Sequence, residues 1–261
     1  MTKMRDIRQK PPASVYIHIP FCAKKCFYCD FNTYVMEGQP VDDYLDALEA
    51  EMERTVRQAP PDVIETVFIG GGTPTVLTAE QLERLLRAVK TYFPRMAPDA
   101  EITMEANPGT IDREKLAAMR EGGVNRLSLG VQTFDDGLLK KIGRIHRAAD
   151  VLDSLDNARQ AGFANISIDL MFGLPNQTVE LLEQSLDIAL GLGLKHYSIY
   201  GLKVEENTLF HVWYEKNELP LPSEDEEVLM YQTIIRKLEA AGYRHYEISN
   251  FALPGFEGRH N

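Results

Sequence analysis

Short β-rich runs alternate with helical stretches along most of this chain, and that alternation limits the folds open to it. The runs lie at 14–19, 64–69, 101–105, 126–131, 165–170 and 196–200. Between the first two, Leu45, Leu48, Met52 and Val56 recur at spacings of three and four within 41–57, which puts them on one apolar helix face. The next helix opens with Thr78-Ala79-Glu80-Gln81, a capping box, and carries Leu82, Leu85, Leu86 and Val89 inward. Shorter helices are expected around 112–121, 136–142, 148–161 and 178–191, with Gly162 at a helix stop. Strands alternating with helices predict an α/β fold, a parallel sheet with helices outside it.

A later helix begins at the capping box Ser223-Glu224-Asp225-Glu226, with Val228, Tyr231, Ile235 and Leu238 as its apolar face. It ends near Gly242, and 243–248 reads as a further strand. The stretch 217–223, with Pro220 and Pro222, reads as a linker. The expected organisation is a tail over 1–13, a strand–helix core over 14–216 and the start of a C-terminal α/β extension over 217–261. The final residues Gly258-Arg259-His260-Asn261 carry no stop signal, so the chain is expected to be a piece of a longer protein.

Net charge is −11, which disfavours nucleic acid and anionic membranes as main partners. No run of about 18 apolar residues exists, so no spanning helix is expected. The first residues lack the apolar stretch of a signal peptide, and a cytoplasmic location is expected. All three cysteines, Cys22, Cys26 and Cys29, fall in one short stretch. An odd, clustered set argues against a disulfide framework and for metal or redox chemistry.

Cys22-Ala-Lys-Lys-Cys26-Phe-Tyr-Cys29 is a C-x3-C-x2-C loop. Three thiolates can hold three irons of a [4Fe–4S] cubane and leave the fourth open to a chelating ligand. The amino and carboxylate groups of S-adenosylmethionine suit that position, and an electron from the cluster would then cleave its carbon–sulfur bond. Two other readings stand beside this one. A structural zinc site would need a fourth ligand, for which His18 is the nearest in sequence. The cysteines could also be buried and inert, which the adjacent Lys24 and Lys25 disfavour.

Tyr16-Ile-His-Ile-Pro-Phe-Cys22 followed by the cysteine loop resembles the radical S-adenosylmethionine superfamily. Within it the chain is similar to the oxygen-independent coproporphyrinogen III oxidase family, from Tyr16 to its last residue. The resemblance implies a partial (β/α)6 TIM-type barrel with C-terminal elements, a [4Fe–4S] cluster on Cys22, Cys26 and Cys29, and bound S-adenosylmethionine. Polar residues at strand ends, where such barrels gather function, fit this. Gly70-Gly71-Gly72-Thr73-Pro74 follows the second strand and lets the backbone approach a ligand, with exposed N–H groups to bind its polar end. The resemblance assigns Gly71, Gly72 and Thr73, and likewise Tyr16, Tyr28, Glu105, Gln132, Arg144 and Asp169, to S-adenosylmethionine. Asp169 has the opposite parity to Ile166, Ile168 and Leu170, so it faces away from them. The alternative to that cofactor-binding role is a buried structural pair, with Arg144 as its partner.

The family divides into the oxidase and HemW-type heme chaperones. The oxidase pattern has a further cysteine where this chain has Phe31, and a longer segment than the 15 residues before Tyr16. His260-Asn261 resembles the start of the motif by which the chaperones bind heme, which makes His260 the expected heme ligand. His211, beside Leu209, Phe210 and Trp213, is the weaker alternative. The resemblance therefore implies a heme chaperone with heme or porphyrin as cargo. Its expected partners are an acceptor hemoprotein and a reductant protein such as a flavodoxin, with membrane contact at most transient. Radical decarboxylation of coproporphyrinogen III is the alternative.

Overall fold

The computed structural model describes residues 11–260; most of the expected tail and Asn261 lie outside the described residues. In chain order the elements are β1 (Ser14–Ile19), β2 (Phe21–Cys22), β3 (Tyr34–Val35), α1 (Val41–Gln58), β4 (Ile64–Gly71), α2 (Ala79–Tyr92), β5 (Met96–Ala106), α3 (Arg113–Glu121) and β6 (Arg126–Gln132). There follow α4 (Asp136–Lys141), α5 (Ala148–Gln160), β7 (Asn165–Phe172), α6 (Val179–Gly191), β8 (His196–Gly201), α7 (Leu209–Glu215), α8 (Glu224–Ala240), β9 (Arg244–Glu247) and β10 (Asn250–Ala252). The main sheet runs β1-β4-β5-β6-β7-β8-β10-β9. The first six are mutually parallel, and β10 and β9 extend the sheet antiparallel.

Strand parity separates two faces of this sheet. Ile17, Ile19, Val67, Ile69, Met104, Leu127, Leu129, Ile168, Leu170, Tyr197 and Ile199 face outward and are buried against the helices. The opposite parity carries Thr66, Glu101, Thr103, Glu105, Arg126, Ser128, Ser167, Asp169, His196 and Ser198, in register from strand to strand. A parallel sheet covered on both faces is normally apolar on both, so a polar inner face marks a lumen that holds a ligand or water. The sheet curls: beyond β10, Arg259 N–H donates to Glu101 Oε1 on β5 at 3.0 Å, and His260 Nδ1 bonds Thr66 Oγ1 on β4 at 2.9 Å.

Helix starts follow the sequence signals. Thr78 and Ser223 form the expected capping boxes of α2 and α8, each cap worth about 1 kcal/mol. Two features depart from expectation. Helix α8 buries Met230, Ile234 and Leu238, while Val228 is exposed. Two apolar stripes share this helix, and packing on α6 and β7 selects the one that contains Met230. The second is α7, unannounced by periodicity. It buries Phe210 and sets Trp213 edge-on to Phe27 of the cysteine loop, ring centroids 5.3 Å apart.

Candidate functional site

The cysteine loop leaves β2 at Cys22 and returns at β3, which pairs with β2. Its middle is fixed by Phe27, whose N–H donates to Ile142 O at 3.1 Å and whose carbonyl accepts from Phe210 N–H at 3.0 Å. Gly143 gives that ring its space, since a Cβ there would meet it at 2.9 Å. The loop thus presents three free thiols to the C-terminal end of the sheet. Burial pushes the Cys22 and Cys29 thiols up. Two donors already reach the sulfurs: Thr73 Oγ1 to Cys22 Sγ at 3.6 Å and Arg144 Nη1 to Cys26 Sγ at 3.5 Å. Half-buried sulfurs with donors aimed at them fit thiolates that hold an iron–sulfur cluster. The zinc alternative finds no free fourth ligand in His18, whose Nε2 bonds Asn32 O at 3.0 Å and whose Nδ1 bonds Tyr16 OH at 3.1 Å.

One cavity joins this loop to the strand ends. Cys22, Cys26, Cys29, Tyr28, Gly71, Gly72, Thr73, Glu105, Gln132, Arg144 and Asp169 all line it. Of the residues expected from sequence, Tyr16 and His260 lie apart. Tyr16 is 53% exposed on the inner face of β1, and its ring stacks on Phe68 at 6.1 Å. His260 packs against both rings, 5.3 Å from Phe68 and 6.5 Å from Tyr16.

The glycine run works differently from the expectation. Gly71 N–H donates to Glu105 Oε2 at 2.9 Å, Gly72 N–H to Ile19 O at 2.8 Å and Thr73 N–H to Phe21 O at 2.7 Å. These N–H groups are therefore committed within the fold, and the run serves close packing while it lines the cavity. Gly71 has φ +108°, and a Cβ there would meet the His18 ring at 2.3 Å. A Cβ on Gly72 would stand 2.5 Å from Phe21 O. The Glu105 carboxylate, which accepts one of these N–H groups, lines the cavity. Burial, with the Asp169 charge adding to it, pushes Glu105 up to about 7, against the pull of Gly71 N–H.

Arg144 is half-buried beside the cysteine loop. Its Nη2 donates to Asn107 Oδ1 at 2.6 Å and to the Gly130 carbonyl. It makes no ion pair with Asp169; that carboxylate instead accepts from Ser128 Oγ at 3.2 Å. Burial pushes Asp169 up, countered by the serine hydroxyls and by the Arg126 and Arg144 charges. Gln132 sits at φ +68° where the β6–β7 register shifts. A non-glycine residue held there is strained, as functional residues often are.

Asn107 is the residue sequence reasoning missed. Its Nδ2 donates to Thr73 Oγ1 at 2.7 Å while its Oδ1 takes the Arg144 bond, so it ties together the two side chains that reach cysteine sulfurs. A polar residue at a strand end before Pro108 is the only signal it gives. Ser128 was likewise unassigned and supports Asp169.

A parallel α/β sheet with a three-thiol loop at its C-terminal end is the architecture of one large protein superfamily. The family model of the radical SAM superfamily matches residues 16–189, and the chain belongs to that superfamily. Among curated proteins it is 50% identical to heme chaperone HemW of Bacillus subtilis (strain 168) over 248 residues, which cover 95% of this chain and 65% of that protein. It is 41% identical to heme chaperone HemW of Escherichia coli (strain K12), over 96% of this chain and 65% of that protein. Among solved structures, coproporphyrinogen III oxidase (HemN) from Escherichia coli, a radical SAM enzyme, superposes with a TM-score of 0.84 at 32% identity, covering 94% of this chain and 56% of that one. The chain therefore spans somewhat under two thirds of the length of these relatives.

Proposed function

We propose that this chain is the radical SAM core of a heme chaperone, which holds heme and passes it to an acceptor hemoprotein. The observation that carries the reading is its 50% identity to a heme chaperone along nearly its whole length. In this reading Cys22, Cys26 and Cys29 hold a [4Fe–4S] cluster, with the Thr73 and Arg144 donors tuning its sulfurs. The cluster supplies one-electron reduction of a bound sulfonium. Glu105 accepts the ammonium group of S-adenosylmethionine, and Gln132, Arg144 and Asp169 complete that cavity. Tyr28 flanks the cofactor within the cavity, and Tyr16 approaches it from the inner face of β1.

His260 serves as the heme ligand. Thr66 Oγ1 engages its Nδ1, which fixes the ring and leaves Nε2 for iron. A reductant protein such as a flavodoxin supplies the electron. The protein works in the cytoplasm, touching membranes only transiently when it meets its acceptor; among the described residues no helix is long and apolar enough to cross a membrane. Heme titration tests the reading: wild-type protein should develop a Soret shift, and His260→Ala should lose most of it. A wild type without that shift refutes the heme-carrying role.

The oxidase reading has one observation in its favour, the close superposition on the Escherichia coli oxidase. Phe31 stands against it, where the oxidase pattern has a further cysteine. Oxygen-free incubation with coproporphyrinogen III, S-adenosylmethionine and a reductant separates the two, since vinyl product would establish the oxidase.

A further inference from the structure

The polar inner face continues below the cofactor cavity, and there it is left unpaired. Arg126 on β6 is only 5% exposed, yet its Nε has no hydrogen-bond partner. Nor does the guanidinium make an ion pair among the described residues. Its register partners are Thr103 on β5 and Asn165 on β7. Thr103 Oγ1 and Asn165 Oδ1 are also buried and also lack partners. Register partners in a parallel sheet point to the same side about 4.8 Å apart, so three orphaned groups form one unbroken row. Native proteins leave few such groups, and a contiguous set calls for an occupant.

We propose that Arg126, flanked by the Thr103 hydroxyl and the Asn165 amide, forms a carboxylate-binding subsite directly beneath the cofactor cavity. The nearby carboxylates are engaged elsewhere. Asp169 accepts from Ser128, Glu105 from Gly71 N–H and Glu101 from Arg259 N–H. The guanidinium fork matches a planar carboxylate in two parallel hydrogen bonds. Thr103 adds a hydroxyl donor. The Asn165 amide adds an N–H donor once its oxygen and nitrogen are exchanged, an assignment that hydrogen bonding alone decides. Ser128, which lines the cavity, lies one inner-face step above Arg126, roughly 7 Å along the strand. The occupant is thus either a small free carboxylic acid or the carboxylate arm of a larger ligand seated above.

The test uses cluster-loaded protein without oxygen, as wild type, Arg126→Met and Thr103→Val. Sodium propionate against sodium chloride at equal ionic strength, followed by thermal unfolding, probes the small acid. Iron protoporphyrin IX against its dimethyl ester, followed by absorbance, probes the arm; this half rests on the heme-chaperone reading and the propionate half does not. Propionate should raise the midpoint of wild type, leave Arg126→Met unmoved and act weakly on Thr103→Val. Iron protoporphyrin should bind Arg126→Met at least tenfold more weakly, with the ester binding both alike. A propionate response with no porphyrin binding to wild type keeps the subsite and removes the heme reading. Porphyrin discrimination without a propionate response assigns the row to a larger ligand. Wild type and Arg126→Met behaving alike toward both probes overturns the subsite, leaving the row to water. If Arg126→Met does not fold, Thr103→Val decides: responses equal to wild type toward both probes overturn it.

Discussion

Replacing Glu105 by Gln should stabilise the protein and weaken its cofactor binding, both in a pH-dependent way. The carboxyl is raised from 4.5 to about 7, chiefly by burial and secondly by the Asp169 charge. Between those two values the folded protein holds a proton that the unfolded chain has released. The Glu105 contribution to stability therefore falls as pH rises from 4.5 to 7 and is flat above. At 1.36 kcal/mol per unit, the penalty carried by the ionised group at pH 8 is about 3 kcal/mol. Gln has the same shape, can still accept from Gly71 N–H and carries no such penalty. In urea unfolding of cluster-loaded, cofactor-free protein, Glu105→Gln should be more stable than wild type at pH 8 by up to about 3 kcal/mol. The difference should vanish near pH 4.5. Binding runs the other way, since an ammonium group seats on the ionised form. The ionised fraction of wild type is about nine-tenths at pH 8 and about one-tenth at pH 6, so affinity for S-adenosylmethionine should fall roughly tenfold between them. The variant should bind weakly and without that slope. Equal stability of the two proteins at pH 8, or a flat affinity from pH 6 to 8 in wild type, would refute the reasoning.

Three further outcomes follow from the site. Asn107→Ala strands Thr73 and Arg144 together and should lower stability by about 1–3 kcal/mol in urea unfolding while weakening S-adenosylmethionine binding in calorimetry. Gly72→Ala places a methyl 2.5 Å from Phe21 O, next to Cys22, and should reduce iron and sulfide bound per chain after reconstitution. Arg144→Lys removes the guanidinium bond to Cys26 Sγ and should make the cluster harder to reduce, read as a more negative midpoint in a redox titration followed by EPR.

What the sequence disclosed follows from how local its signals are. The β-rich runs, the capping boxes at Thr78 and Ser223 and the parity of Asp169 are set by neighbours along the chain, and the structure keeps all of them. The cysteine spacing belongs to one loop and was equally plain. Less local facts were hidden. A structural pair of Arg144 with Asp169 was the alternative to a ligand role, but Asn107, from a different strand end, takes the guanidinium. The glycine N–H groups were expected to be free, but the neighbouring strand's carbonyls and Glu105 take them. His260 could not be located from sequence at all, because only the curl of the sheet brings it to Thr66. On α8 two stripes competed, and periodicity could not choose between them.

The division between the two faces of the sheet explains why so much function fits into so small a lumen. Leu127, Leu129, Ile166, Ile168 and Leu170 alternate with Arg126, Ser128, Asn165, Ser167 and Asp169 along β6 and β7. The apolar set packs against the helices and carries the stability, at about 25 cal/mol per Å² removed from water. The polar set contributes little of that, and Glu105, on the same inner face of β5, is net destabilising by the amount worked out above. A sheet whose strength comes from one face can keep strained or unpaired groups on the other, as at Gln132 and Arg126. Such groups persist only where a rigid scaffold holds them. The same alternation that predicts the fold therefore also supplies the site, since each strand carries core on one parity and chemistry on the other.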